Sequence, residues 1–175
     1  MPAASGIQQL SALDRDQLLI ISEEFDLLAK DFDIILFDTG AGISSNVTFF
    51  CAKAHDILVI ATPEPTSLTD AYALIKVLFK IHNQKNFKII VNSAKSKKEA
   101  EVVYINLCAT TDRFLPFVSL EYMGDVLYDG NIIKSVRMQK SIIDCYPYSK
   151  ASKGFFDLSE KITGWKPVEV SDFKL

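Results

Sequence analysis

The sequence lacks the features that would place it outside the ordinary globular class. Three cysteines and two histidines occur without a Cys-x-x-Cys pair, which argues against a disulfide framework and a structural zinc site. No apolar run approaches the roughly 20 residues of a membrane-spanning helix, and the N-terminus has no basic-then-apolar signal pattern. Lys and Arg number 19 against 22 Asp and Glu, so there is no basic surplus for nucleic acid.

What remains is a globular composition. Hydrophobic residues make up 49% of the 175 residues and charged residues 23%, values typical of a folded domain and incompatible with intrinsic disorder. No repeat or linker divides the chain, so we predict one domain over residues 1–175. We also expect the cysteines to be reduced thiols in a cytoplasmic protein.

Short apolar runs alternate with helical patterns along the chain. The apolar runs predict strands at 34–37, 57–60 and 87–91, and a fourth within 116–128. Apolar residues at helical spacing predict helices over 11–30, 67–82, 98–112, 131–139 and 150–163. Continuous apolar strands that alternate with helices are typical of βαβ units. The predicted fold is α/β, with three layers and a mostly parallel sheet that has helices on both faces.

Polar residues follow three of the predicted strands. Asp38, Glu64 and Asn92 stand at these ends, and ligands of open α/β sheets bind outside the carboxyl ends of the strands. A carboxylate such as Asp38 suits Mg²⁺. Glycines in the stretch 40–42 would let backbone N–H groups approach a phosphate, and the Asn92 amide could read the edge of a base.

Each of these residues also has a plain structural interpretation. Asp after a strand is often a helix cap, Asp-Thr-Gly is a turn sequence, and Asn92-Ser93 could cap a turn. Only the complete string from Asp33 to Gly42, followed in order by two further polar strand ends, favours a ligand site.

Several strings resemble the MinD/ParA family of deviant-Walker P-loop ATPases, with the strongest likeness to its flagellar-number regulators of the FlhG type. "DFDIILFDTGAGIS" (31–44) is similar to the Walker B and switch II segment of that family. "HDILVIATPEPTSLTDAYALIKVL" (55–78) resembles the following strand, Pro-rich loop and helix, and "IIVNSAKS" (89–96) resembles the strand whose Asn contacts adenine. The resemblance covers nearly the whole chain.

The resemblance implies a homodimeric, ATP-dependent switch with Mg²⁺ as cofactor. Asp38 would be catalytic and would hold a Mg²⁺-bound water. Thr39, Gly40 and Gly42 would sense the γ-phosphate, Asn92 would contact adenine, and the region near Asp129 would lie over the base. Relatives position flagellar or division machinery while cycling on the inner membrane.

The sequence departs from the family pattern at the phosphate loop. No Gly-x-x-x-x-Gly-Lys-Ser/Thr string occurs, and that string normally cradles the phosphates. We therefore expect this chain to be the C-terminal part of such an ATPase, beginning just before Walker B. On that expectation ATP or ADP and Mg²⁺ belong to the parent protein, and the isolated chain hydrolyses no ATP.

The resemblance also indicates partners, and it leaves alternatives open. Expected partners are a second copy and flagellar or division-site proteins, such as a GTPase of the signal-recognition-particle type, with peripheral membrane contact in the parent and no specific nucleic acid. The tail 164–175 is a poor basic amphipathic helix. A non-catalytic interaction module is the alternative function. An iron–sulfur carrier of the same superfamily would need a Cys-x-x-Cys pair.

One expectation concerns the sheet. In the family, the strand that enters the phosphate loop lies between the strands that correspond to 34–37 and 57–60. Unpaired strand edges attract other strands. We therefore expect these two segments to pair directly or to be joined by another chain.

Overall fold

A computed structural model describes residues 17, 20, 21, 24, 25 and 28–165 of the chain. The chain forms two compact units, and their boundary lies between His55 and Asp56. The first unit contains the described residues up to His55, and the second is Asp56–Lys166.

The first unit is built around an aromatic cluster. A helix is predicted over 11–30. The six described residues from 17 to 28 are helical, as predicted, and the other positions from 11 to 27 lie outside the described residues. Helix α1, Ser45–Lys53, begins after Ser44, whose side chain caps the Val47 N–H. The Phe37 ring lies 4.6 Å from Phe25 and 5.6 Å from Phe50, distances at which aromatic pairs attract.

The strand predicted at 34–37 does not form, and this prediction was wrong. Described residues 32–40 are extended or irregular and belong to no strand. Leu36 is 72% exposed, whereas a strand buried on both faces would cover it. The Phe37 ring holds the segment against other aromatic rings, and no described strand offers it a ladder of backbone hydrogen bonds.

The second unit contains a parallel sheet of three strands. These are β1, Leu58–Ala61, β2, Asn86–Ala94, and β3, Ser119–Leu127, in the order β1-β2-β3. The pairing of β1 with β2 is continuous, from Leu58 opposite Lys88 to Ala61 opposite Val91. The pairing of β2 with β3 has irregularities after Ile89 and after Asn92. The three remaining strand predictions are thereby confirmed.

Helices connect and cover these strands. They are α2 (Pro65–His82), α3 (Lys97–Phe114), α4 (Gly130–Arg137), α5 (Ile142–Cys145) and α6 (Lys150–Thr163). Pro65 occupies the first turn of α2, where a missing N–H costs nothing. Asn83 ends that helix in a left-handed conformation with φ 54°.

The two faces of the sheet are buried by different helices. On one face, Ile90, Met123 and Val126 pack with the α6 residues Ala151 and Leu158. On the other, alternation points Val59, Ile89 and Val91 towards α2 and α3. Both helices bury an apolar stripe there: Ala71, Ile75, Leu78, Ala100, Val103 and Leu107. The predicted α/β fold with helices on both faces is confirmed.

Two details of the helix predictions need correction. Helices α1 and α5 were not predicted: α1 has only weak amphipathic character and α5 is a single turn. Helical spacing places Phe155 of α6 on one face with Ala151 and Leu158, which predicts a buried side chain, but Phe155 is 40% exposed. The buried side of α6 is instead turned towards Ala151, Gly154 and Leu158.

Gly154 brings α6 against the backbone of β3. A Cβ at this position would lie 2.7 Å from the Asp125 carbonyl oxygen and 3.1 Å from the Val126 Cα. Real Cβ atoms do not approach backbone that closely, so the helix can pack here only without a side chain.

We expect Gly154→Ala to destabilise the protein by about 1–3 kcal/mol, because the added methyl must push α6 away from β3. Urea unfolding monitored by circular dichroism measures the change. Gly130→Ala is the matched control, since a Cβ there would meet nothing within 4 Å. Equal unfolding midpoints for the two variants would contradict this account of the packing.

Candidate functional site

The residues predicted to sense a phosphate lie on a loop in the first unit. Asp38 and Gly40 are exposed and Thr39 is half-buried, and the loop leads through Gly42 to the start of α1 at Ser45. Gly42 has φ +105°, a conformation that residues with a Cβ rarely adopt. The loop can therefore turn so that backbone N–H groups become available to an anion.

A single carboxylate marks the predicted magnesium position. Asp38 is exposed, and the described residues contain no group of three or more His, Cys, Asp or Glu that could hold a metal ion. Mg²⁺ in nucleotide sites usually takes one or two carboxylates and completes its shell with waters and phosphate oxygens. Asp38 fits that role for an ion that arrives with a nucleotide. Alone it does not make a dedicated metal site.

Asn92 lies at the carboxyl end of the central strand. It is half-buried and stands opposite Val126 of β3. Ser93 follows with φ 62°, and the pairing becomes irregular between Asn92 and Ala94. The amide of Asn92 offers both a donor and an acceptor at the edge of the sheet where ligands bind.

Asp129 joins the starts of two helices. Its carboxylate accepts hydrogen bonds from the Asn131 N–H at 2.9 Å and from the Ala151 N–H at 3.4 Å. It is thus the N-cap of α4 and also contacts the first turn of α6. The Asn131 N–H, with smaller contributions from the other donors, lowers the pKa of Asp129. Its oxygens are engaged by the protein backbone, so this residue shapes the loop.

The structure brings Asn92 and Asp129 to one edge of the sheet. Asn92 is at the end of β2, Asp129 follows the end of β3, and the Tyr128 N–H bonds the Ala94 carbonyl at 2.8 Å. Asp38, Thr39, Gly40 and Gly42 form a separate group within the first unit.

Glu64, the third polar strand end, begins α2. It is exposed and occupies the N-cap position without a side-chain capping bond. The turn that contains Glu64 is closed by Ser67, whose hydroxyl accepts a 2.9 Å hydrogen bond from the Thr62 N–H. Glu64 therefore lies in the turn that starts α2.

Ser149 is a structural contributor at this edge that sequence reasoning missed. Its side chain caps α6 by accepting from the Ser152 N–H at 3.2 Å, and it helps to lower the pKa of Asp129. The signal was present, because Ser is a preferred N-cap residue and Ser149 directly precedes the predicted helix.

No helix in the described part of the chain combines the length and apolar character required to cross a membrane.

Several curated proteins align with most of this chain. The chain is 37% identical over 165 residues to the antiactivator FleN of Pseudomonas aeruginosa, covering 94% of this chain and 59% of FleN. It is 27% identical to the flagellum site-determining protein YlxH of Helicobacter pylori (80% of this chain, 47% of YlxH). It is 26% identical to the septum site-determining protein MinD of Helicobacter pylori (98% and 63%). The chain thus spans between about half and two thirds of these relatives' lengths. No protein-family model matches it.

A solved structure shows the same fold. The MinD cell division protein of Aquifex aeolicus superposes with a TM-score of 0.65 at 22% identity, covering 90% of this chain and 64% of that protein. A second structure, the MinC:MinD complex of the same organism, gives a TM-score of 0.64, with coverage of 90% and 62%.

Asp129→Asn should destabilise the protein near neutral pH, because the charged acceptor at two helix starts becomes a neutral one. We expect a loss of about 0.3–1 kcal/mol, the range for a negative charge at a helix N-terminus, because Asn can still cap the helix. The folded-state pKa of Asp129 lies below the unfolded one, so its stabilisation is present above the unfolded value of about 4 and is lost as pH falls through the folded value.

Urea unfolding at pH 7 and at pH 3 and below measures this dependence. The difference in the free energy of unfolding between wild type and variant should have its full size at pH 7 and should become smaller in acid. Asp157→Asn, an exposed Asp of α6, serves as the control for a lost surface charge. A difference in the free energy of unfolding that stays constant with pH would show that the carboxylate charge does not stabilise the two helix starts.

Proposed function

The chain belongs to the MinD/ParA family, close to FleN, and from that membership we propose that it forms the base-binding and phosphate-sensing part of an ATP-dependent positioning switch. The switch would set flagellar number or placement, or the division site. The observation that carries the proposal is the shared position of Asn92 and Asp129 at the carboxyl edge of a parallel sheet. That edge is where open α/β sheets bind ligands.

Asn92 would recognise the base. Its amide can donate to a ring nitrogen and accept from the exocyclic amine of adenine. The half-buried position favours specificity, because a hydrogen bond shielded from water discriminates better than an exposed one. Asp129 would act as a positioning residue, since its carboxylate fixes the segment between β3 and α4 that would lie over the base.

The loop from Asp38 to Gly42 would respond to the γ-phosphate. Its backbone N–H groups would donate to phosphate oxygens, and the conformation of Gly42 lets the chain turn around the anion. Magnesium, when bound with the nucleotide, would neutralise phosphate charge. Asp38 would accept a hydrogen bond from one of its waters. A change in the bound phosphates would then change which conformation of the loop is stable.

The proposed partners follow from the relatives. MinD of Aquifex aeolicus has been solved in complex with MinC, and FleN and YlxH are described as an antiactivator and a flagellum site-determining protein. We infer an ATP-dependent homodimer that binds a flagellar or division-site protein, for instance a GTPase of the signal-recognition-particle type. It would be cytoplasmic, with peripheral contact at the inner membrane.

In the complete protein, Asn92→Ala should weaken ATP binding about tenfold, the value of about one buried hydrogen bond. Titration with a fluorescent ATP analogue measures it. Asn106→Ala, at an exposed position of α3, is the control and should bind as the wild type does. Unchanged affinity in Asn92→Ala would remove this residue from the nucleotide site. Absence of nucleotide binding in the wild type would favour the interaction-module alternative.

Asp38→Ala in the complete protein should reduce ATP hydrolysis about 10–100-fold, the range for losing a residue that holds a metal ion through its bound ligands, while ATP still binds. Phosphate release gives the rate and the fluorescent analogue gives the affinity. Asp33→Ala, an exposed Asp five residues upstream, should leave both unchanged. Wild-type turnover in Asp38→Ala would exclude the catalytic role.

Flagellar counts and minicell counts in the variant strain separate the flagellar role from the division role.

A further inference from the structure

The sheet of the second unit has two edge strands, and they differ in how they are protected. Edge strands present unpaired N–H and C=O groups that can pair with another chain, so proteins block them with lysines, bulges or covering helices. β1 and β3 are the edges of the described sheet.

The β1 edge carries none of these protections within its own strand. Its sequence, LVIA, has no charge and no proline, and its pairing to β2 runs without a bulge. Ile60 is 61% exposed. This edge keeps the regular geometry that a further strand needs.

Two carbonyls of β3, those of Leu120 and Met123, accept hydrogen bonds from side chains of neighbouring helices. The Tyr104 hydroxyl of α3 donates to the Leu120 carbonyl at 2.8 Å. The Lys161 Nζ of α6 donates to the Met123 carbonyl at 2.5 Å. Met123, the acceptor of the second bond, is also the extra residue of a bulge, since Ile89 stands opposite Tyr122 and Ile90 opposite Gly124.

A cleft of about 840 Å³ runs along this same edge, between α3 and α6. A strand beside two helices resembles a groove that accepts an extended peptide. The charges that line it balance: Lys97, Lys150, Lys153 and Lys161 against Glu101, Asp125, Asp157 and Glu160. The balanced charges therefore favour neither an anionic nor a cationic ligand. The Leu120 and Met123 carbonyls, which already accept hydrogen bonds, oppose the addition of a strand.

We propose that Lys161 and Tyr104 seal the β3 edge against strand pairing with a second copy of this chain, so that the sheet cannot grow in that direction. Substitution of Lys161 can remove the hydrogen bond to the Met123 carbonyl and with it part of this protection. Its long apolar stem extends from α6 to the strand, and its amine lies 3.8 Å from where a Cβ of Gly124 would stand. The bond thus lies directly at the bulge, where the ladder is already interrupted.

The test compares variants that change one amine. Lys161→Met keeps an apolar stem and frees the Met123 carbonyl, so we expect self-association about tenfold tighter than in the wild type. Sedimentation velocity over a range of concentrations measures it. Lys161→Arg retains a donor and should sediment as the wild type. Lys153→Met lines the same cleft, removes the same charge and should also sediment as the wild type.

Hydrogen exchange identifies the surface. In Lys161→Met, the amides of residues 120–127 should become more protected as concentration rises, whereas those of β1 should not. Wild-type sedimentation of Lys161→Met would overturn the proposal, and so would association without protection of 120–127. Tyr104→Phe frees the Leu120 carbonyl with little change in shape. If Lys161→Met does not fold, this variant gives the deciding measurement by the same two readouts.

Discussion

The contact between α6 and the backbone of β3 is the constraint on which the second unit depends. Gly154 allows this approach, because any Cβ would overlap the Asp125 carbonyl oxygen. With the helix seated there, Ala151 and Leu158 complete the apolar cluster around Met123 and Val126. The start of the helix comes within reach of Asp129. One close approach therefore sets both the core on this face and the shape of the loop at the carboxyl edge.

The candidate site uses that edge in two different ways. Asn92 presents a side chain that can meet a ligand, while the carboxylate of Asp129 is engaged by backbone donors of α4 and α6. A polar residue at a strand end can thus serve recognition directly or can hold the segment that does. The two roles are distinguished by the partners of the side chain, which the sequence does not state.

The sequence predicts the regular elements of the second unit well, because their signals are local. Helix α6 begins and ends where predicted, at Lys150 and Thr163, and the apolar stripes of α2 and α3 face the sheet. The failures have a non-local cause. Residues 34–37 have strand composition, but a strand also needs a paired neighbour, and no described segment pairs with them. Phe155 lies outside the core because Gly154, a residue without a side chain, sets the rotation of α6.

The order of the strands has a consequence for how the second unit folds. Each strand lies beside the next one in the chain, and one helix of 18 residues joins each pair. The sheet can therefore grow in the direction of synthesis, with every new strand meeting a partner that has already left the ribosome. Contacts between segments that are close in sequence also lower the entropic cost of loop closure during folding. Helix α6, the last element in the described part of the chain, folds back onto β3, so of the three strands β3 waits the shortest time for its cover.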